Sequence, residues 1–437
     1  MSARTGRTVG AALAGLLLIA AAPESRLEQY FRLRAEAGAA AKAGDLATAE
    51  KTFEATLALF PTAPGVLIRL ARVEAALGKP DEALGRLATY AGLGLAYDPA
   101  QDPAMASLTS RPSYAAVAAR LAANSRPVGE LTDMATLGPA GVVNEGLARD
   151  GDDWLVSTVA GRAISRVGPD GKMTPLLTPD SETGGLFGLA IDHRRGILWA
   201  AETRRPDIPG SPQGAQRTGL LKLSPKDGKV LARYVLPDDG ERHQIGDVTV
   251  ADDGTVYGSD STSAAIYRLR PGDARLEAVL QTTEMASPQG MVLCPGGKAM
   301  VIADYSSGLH RLDLKTGALQ PVGGMRVALA GTDGLFRVGR DSWMRLARPL
   351  PIDMVATQNG VTPQRIMLLR LSPDCRTLQA ATVLAANLPQ MDDLTLGADG
   401  GGKVVFIGAG GWADYDDAGK LTTTTPATAH LLSVPLP

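Results

Sequence analysis

Asn144-Glu145-Gly146-Leu147-Ala148-Arg149, followed by Trp154-Leu155-Val156-Ser157, is an apolar run opened by an acid and a glycine, then a polar turn, then a second run. The cassette recurs. Its first runs open at Glu145-Gly146-Leu147, Gly188-Leu189-Ala190, Asp247-Val248-Thr249, Gln289-Gly290-Met291, Asp333-Gly334-Leu335 and Asp392-Asp393-Leu394, with separations of 43, 59, 42, 44 and 59 residues. A period of roughly 40–50 residues holding about four strands is that of a propeller blade, which repeats because one blade cannot bury its own apolar faces. The chain is therefore expected to form a six-bladed β-propeller.

Outward from the first cassette, Ala163-Ile164-Ser165-Arg166-Val167 and Met173-Thr174-Pro175-Leu176-Leu177 supply the third and fourth strands of blade one. Turns such as Pro169-Asp170-Gly171 and Asp252-Asp253-Gly254 join strands as hairpins. Blade six has its third strand near His430-Leu431-Leu432-Ser433-Val434 and no fourth after it. A spare strand over residues 130–137 stands before blade one. It is expected to complete blade six, closing the ring and hiding its edges.

The propeller is assigned to residues 130–437, and 125–129 (Ser-Arg-Pro-Val-Gly) read as a linker. Residues 25–124 are alanine-rich and periodic at helical spacing. Ala49 and Ala83 occupy matching places 34 residues apart, each followed one turn later by Phe53 or Leu87. That is the tetratricopeptide period, with the small alanine allowing two helices to approach. A less regular helical region, 103–124, is expected to cap the stack. Such repeats either dock a protein partner or pack on the neighbouring domain.

Residues 1–22 read as an export signal, with Arg4 and Arg7 before an apolar stretch that ends in Ala20-Ala21-Ala22. An uncleaved anchor is the other reading, although the stretch is shorter than the roughly 20 residues of a membrane span. The mature chain is expected in the periplasm or outside the cell, with no membrane attachment. A net charge of -2 offers nucleic acid no attraction. Cys294 and Cys375 lie far apart with no metal-binding spacing, and are expected as separate thiols, a single disulfide being the alternative.

In such a ring the loops entering each first strand and leaving each second strand share one end of the central channel. That end is expected to gather Glu145, Asp247, Gln289, Asp333, Asp392 and Asp393 from entering loops, and Glu202, Asp260, Asp304 and Asn359 from leaving ones. Converging carboxylates need a cation, protons or water. An all-oxygen set suits a divalent cation, calcium above all. His243, in the loop entering blade three, is a candidate proton acceptor. The loop over residues 203–219, with Pro206, Pro209 and Pro212, is long enough for a lid.

Asn144-Glu145-Gly146-Leu147, Ser287-Pro288-Gln289-Gly290-Met291 with Ile302-Ala303-Asp304, and Thr332-Asp333-Gly334-Leu335 resemble the first, fourth and fifth blades of the regucalcin/gluconolactonase family. The resemblance spans residues 130–437. It implies one divalent cation at the channel mouth, polarising a lactone or ester carbonyl for attack by water. Its glutamate falls on Glu145 and its aspartate on Asp333, with Gln289 at an asparagine position. The sequence departs from the family at Gln289 and at Gly246, where asparagine is usual before Asp247. Asp247 is then the candidate for the missing charge or for the general base.

Two functions compete at this stage. One is a metal-dependent hydrolase of a lactone or ester. The other is a non-catalytic scaffold whose helical repeats hold a protein partner. A redox-cofactor propeller is disfavoured, because four tryptophans give little repeated aromatic docking.

Overall fold

The computed structural model describes residues 23–339 and 350–437, so the expected export signal lies outside the described residues. Ser25 opens the first helix with a capping box: its hydroxyl accepts from the Glu28 amide while the Glu28 carboxylate accepts from the Ser25 amide. The helices are α1 (Arg26–Ala43), α2 (Leu46–Leu59), α3 (Pro64–Ala76) and α4 (Pro80–Gly92), with proline at the start of the last two. Ala49 and Ala83 are fully buried, as are Phe53 and Leu87. The cap is a 3-10 turn, Pro103–Leu108, followed by α5 (Tyr114–Ala123). Among the described residues no helix is long and apolar enough to cross a membrane.

The remaining chain forms six sheets, each an antiparallel set of four strands, as the period requires. Blades one to four run in simple order from inner to outer strand, beginning at Asn144, Gly185, Ile245 and Pro288. Blade five gains a fifth strand, Gly323–Gly324, laid parallel on its outer edge. Blade six is built from Gly397–Asp399, Lys403–Gly408, Ala429–Pro435 and the early strand Thr132–Leu137. Thr132 pairs with Ser433 and Leu137 with Ala429, so the expected latch is present.

One expectation is corrected here. Cys294, after the inner strand of blade four, is disulfide-bonded to Cys375, between the outer strands of blade five, with Cα atoms 6.3 Å apart. The ring brings together two thiols that are 81 residues apart in sequence. Residues 125–129 run against the propeller. Val128 exchanges two backbone hydrogen bonds with Ala386, and the Asn387 amide holds the carbonyls of Asn124 and Arg126.

The helical domain is seated on the propeller. Ala286, Ala328 and Val361, from loops of blades four and five, join its apolar core. The Ala96 amide bonds the Thr362 carbonyl at 2.8 Å, and the Ser25 hydroxyl bonds the Thr283 carbonyl at 2.9 Å. All these loops enter first strands or leave second strands, so the helices flank the channel end where the acidic residues collect.

Candidate functional site

Each inner strand of the first five blades carries a one-residue bulge near its start. Asn144 pairs with Thr158 but Leu147 with Val156, and the same slip follows Leu186, Ile245, Pro288 and Thr332. A bulge re-aims the extra residue. The bulged positions are Glu145, Phe187, Gly246, Gln289 and Asp333. The residue after each packs against the next blade: a Cβ on Gly146 would lie 2.2 Å from the Phe187 carbonyl oxygen, and one on Gly188 would lie 2.7 Å from that of Gly246. By that match Asp247 stands where its neighbours carry glycine, one residue past the position that the cassette frame gives it.

Glu145, Asp247 and Asp333, from blades one, three and five, are all buried. Burial pushes Glu145 well above the usual carboxylate range, and the Asp333 charge adds to the shift. Asp247 is pushed well up for the same two reasons. Asp333 rises to about 7, chiefly through burial; a hydrogen bond from Asn359 opposes the shift and the Asp393 charge reinforces it. Glu145 and Asp247 both feel the Asp333 charge, so the three face the channel end within electrostatic reach without closing on one point. Asp393 is also raised by burial, against hydrogen bonds from the backbone around Trp412.

Neighbours fix these groups. The Trp412 indole N–H donates to Glu145 Oε2 at 2.7 Å and its ring stacks on Phe187, centroids 6.2 Å apart. Asn359 Nδ2 donates to Asp333 Oδ2 at 2.9 Å and to the Leu394 carbonyl at 2.7 Å, leaving its buried Oδ1 without a partner. Gln289 Nε2 donates to the Ser287 hydroxyl, while its Oε1 lies 3.5 Å from where a Cβ of Gly246 would be. The two departures from the family pattern therefore meet: the longer amide reaches toward room that glycine leaves. Tyr305 stands near the same charges, its hydroxyl pushed up to about 12 by burial and then by Asp333 and Asp393.

Other sequence candidates serve the frame. His243 is held through Nδ1 by Asp260 at 2.6 Å and through Nε2 by Asp239 at 3.0 Å, so neither ring nitrogen is free to accept a substrate proton. Its pKa is set by burial, which lowers it, against these two carboxylates, which prevail and raise it. Glu202, Asp260 and Asp304, expected at the funnel, end second strands as buried struts. Glu202 pairs with Arg233 and Arg217; Asp304 accepts from the amides of Ala286, Ser287 and Ser307. Asp392 caps its own loop through the Asp393 amide. The loop after Arg204 packs into the rim, with Arg205 bridging Asp207 and the His243 carbonyl.

A cavity of about 650 Å³ fills the channel beyond Asp247, with Leu147, Leu189, Val248, Met291, Leu335 and Leu396 among its walls. Buried acids without basic partners mark its Asp247 end, whereas the aliphatic walls below lead to a polar rim that includes Arg149, His193, Asp252, Arg337 and Asp399. A hard cation fits that donor set: carboxylates raised by burial and then by a neighbouring charge, the orphaned Asn359 Oδ1 and the Gln289 amide. Among the described residues no three His, Cys, Asp or Glu side chains close on one point, so amide and water oxygens would have to complete any shell.

Residues 40–111 match the tetratricopeptide repeat family. No curated protein matches the chain. Solved structures similar to it include a gluconolactonase from Xanthomonas campestris, at 17% identity and TM-score 0.44, covering 71% of this chain and 99% of that one. A calcium-binding regucalcin from Agrobacterium tumefaciens is similar at 15% identity and TM-score 0.43, covering 68% and 92%. A streptogramin B lyase follows at 15% identity and TM-score 0.44, covering 65% and 82%.

Proposed function

We propose that the channel mouth is a divalent-cation site, calcium by its donor chemistry, at which a lactone or ester is hydrolysed. The observation that carries this reading is the burial of Glu145, Asp247 and Asp333 around one space, each raised by burial and by another carboxylate, with no basic partner among the described residues. Glu145, Asp333, Gln289 and Asn359 would hold the ion. A bound cation supplies positive charge to the substrate carbonyl and to the oxygen anion that develops there. Asp247, made more basic than an ordinary carboxylate by burial and then by the Asp333 charge, takes a proton from the attacking water. The water oxygen bonds the carbonyl carbon, the acyl C–O bond breaks, and the departing alkoxide oxygen receives the proton from Asp247. Trp412 orients Glu145.

The disulfide accords with an exported protein, whose periplasmic or extracellular surroundings keep thiols oxidised. The division into an export signal (1–22), a helical domain (25–124), a linker (125–129) and a propeller (130–437) belongs to the same proposal. A second reading rests on the tetratricopeptide match: the helical repeats hold a protein partner and the mouth is vestigial. Metal analysis of the purified protein, with melting curves in calcium and in chelator and a panel of lactones and aryl esters, separates the two. Bound calcium, chelator-sensitive stability and hydrolysis abolished by Asp247→Asn support the first. A metal-free protein without a calcium shift sinks it.

A further inference from the structure

Among the described residues Arg365 is the largest fully buried side chain, 1% exposed, and no carboxylate touches it. Its guanidinium donates to neutral oxygens only: Gln358 Oε1 at 2.6 Å, the Leu93 and Gly94 carbonyls at 3.1 and 3.2 Å, and the Ala328 carbonyl at 3.1 Å. Burial draws its pKa down to about 10, which still leaves it charged at neutral pH. A buried cation without an anion is costly, and such a group persists where its hydrogen bonds hold something together. Leu93 and Gly94 lie just past the C-terminus of α4, where the helix dipole presents its negative end to the cation.

What Arg365 joins is specific. Ala328 belongs to the segment that leads into Asp333. Gln358 ends the neighbouring strand, directly before Asn359, and its Nε2 holds the carbonyls of Ala328 and Ala330. The Asn359 and Gly360 amides then close on the Gly331 carbonyl, and Asn359 holds Asp333. One cation therefore ties the end of α4 to both segments that present this corner of the mouth.

We infer that Arg365 is a positioning residue through which the helical domain fixes Asp333 and Asn359, making the helical repeats a structural part of the cation site. This rests on the reading of the mouth as a cation site, and the test keeps the two apart. In the full-length protein, Arg365→Met keeps the bulk and removes the donors, while Arg365→Lys keeps the charge and shortens the reach. Hydrogen exchange is followed at the Gly331, Gly334, Asn359 and Gly360 amides, with Leu220 and Leu221 of blade two as controls, and calcium affinity is measured by calorimetry.

Arg365→Met is expected to speed exchange at the four site amides at least about tenfold with the controls unchanged, and to weaken calcium binding about 10- to 100-fold. Arg365→Lys is expected to fall between it and the parent. Unchanged site amides and unchanged affinity in either folded variant overturn the inference, as does exchange accelerated equally at site and controls. If the parent binds no calcium, the reading of the mouth fails while the exchange measurement still decides the clamp.

Discussion

At the scale of single residues, Asp333 makes the sharpest prediction because its ionisation opposes the fold. Its pKa is about 7 in the folded chain against 3.8 as the ordinary value. The folded state therefore binds the extra proton, so the stability it contributes is present below about pH 4 and is lost as pH rises to about 7. In chelator, the melting temperature should fall between pH 5 and 8, and Asp333→Asn should flatten that slope. An equally steep slope in the variant would contradict the assignment. Calcium should reverse the trend by holding the carboxylates ionised. Glu145 and Asp333 were legible in the sequence because each stands beside the glycine of a cassette. Trp412 was not, since its bond to Glu145 spans the closure of the ring from blade six to blade one. His243 misled because Asp239 and Asp260, which occupy its nitrogens, meet it only when the loop folds against the second strand of blade three.

At the scale of elements, the bulge explains both the success and the slip of the sequence reading. Periodicity found four inner strands to within two residues but opened blade two three residues late and blade six five residues early, and in blades two and three the most conspicuous acid or glycine is not the bulged residue. Asp247 therefore drew the eye while Gly246 holds the equivalent place. The glycine after the bulge is where one blade's backbone meets the next. Gly188→Ala would set a methyl 2.7 Å from the Gly246 carbonyl oxygen and 2.9 Å from the Asp247 Cα, which neither backbone can readily yield. Overpacking of this kind costs about 1–3 kcal/mol, to be read from denaturant unfolding. A variant as stable as the parent would show that blades two and three are less tightly apposed than this. The disulfide was undecidable from spacing, because only the ring brings its two loops together.

At the scale of the whole molecule, closure depends on one strand. Leu137 is fully buried among Leu147, Trp154, Val156, Ile407 and Leu431, so blade six and blade one share a core across the seam. Leu137→Asp would bury a carboxyl without a partner and should cost about 3–5 kcal/mol, detected as a lowered unfolding midpoint and earlier exposure of apolar surface to a dye. Parent-like unfolding would refute the latch. The same seam governs the order of assembly. Thr132–Leu137 leaves the ribosome long before Ala429–Pro435, the one strand it pairs with among the described residues. A chain halted anywhere short of Ala429 carries a ring it cannot shut, and the edge of the early strand stays open until its partner has been made.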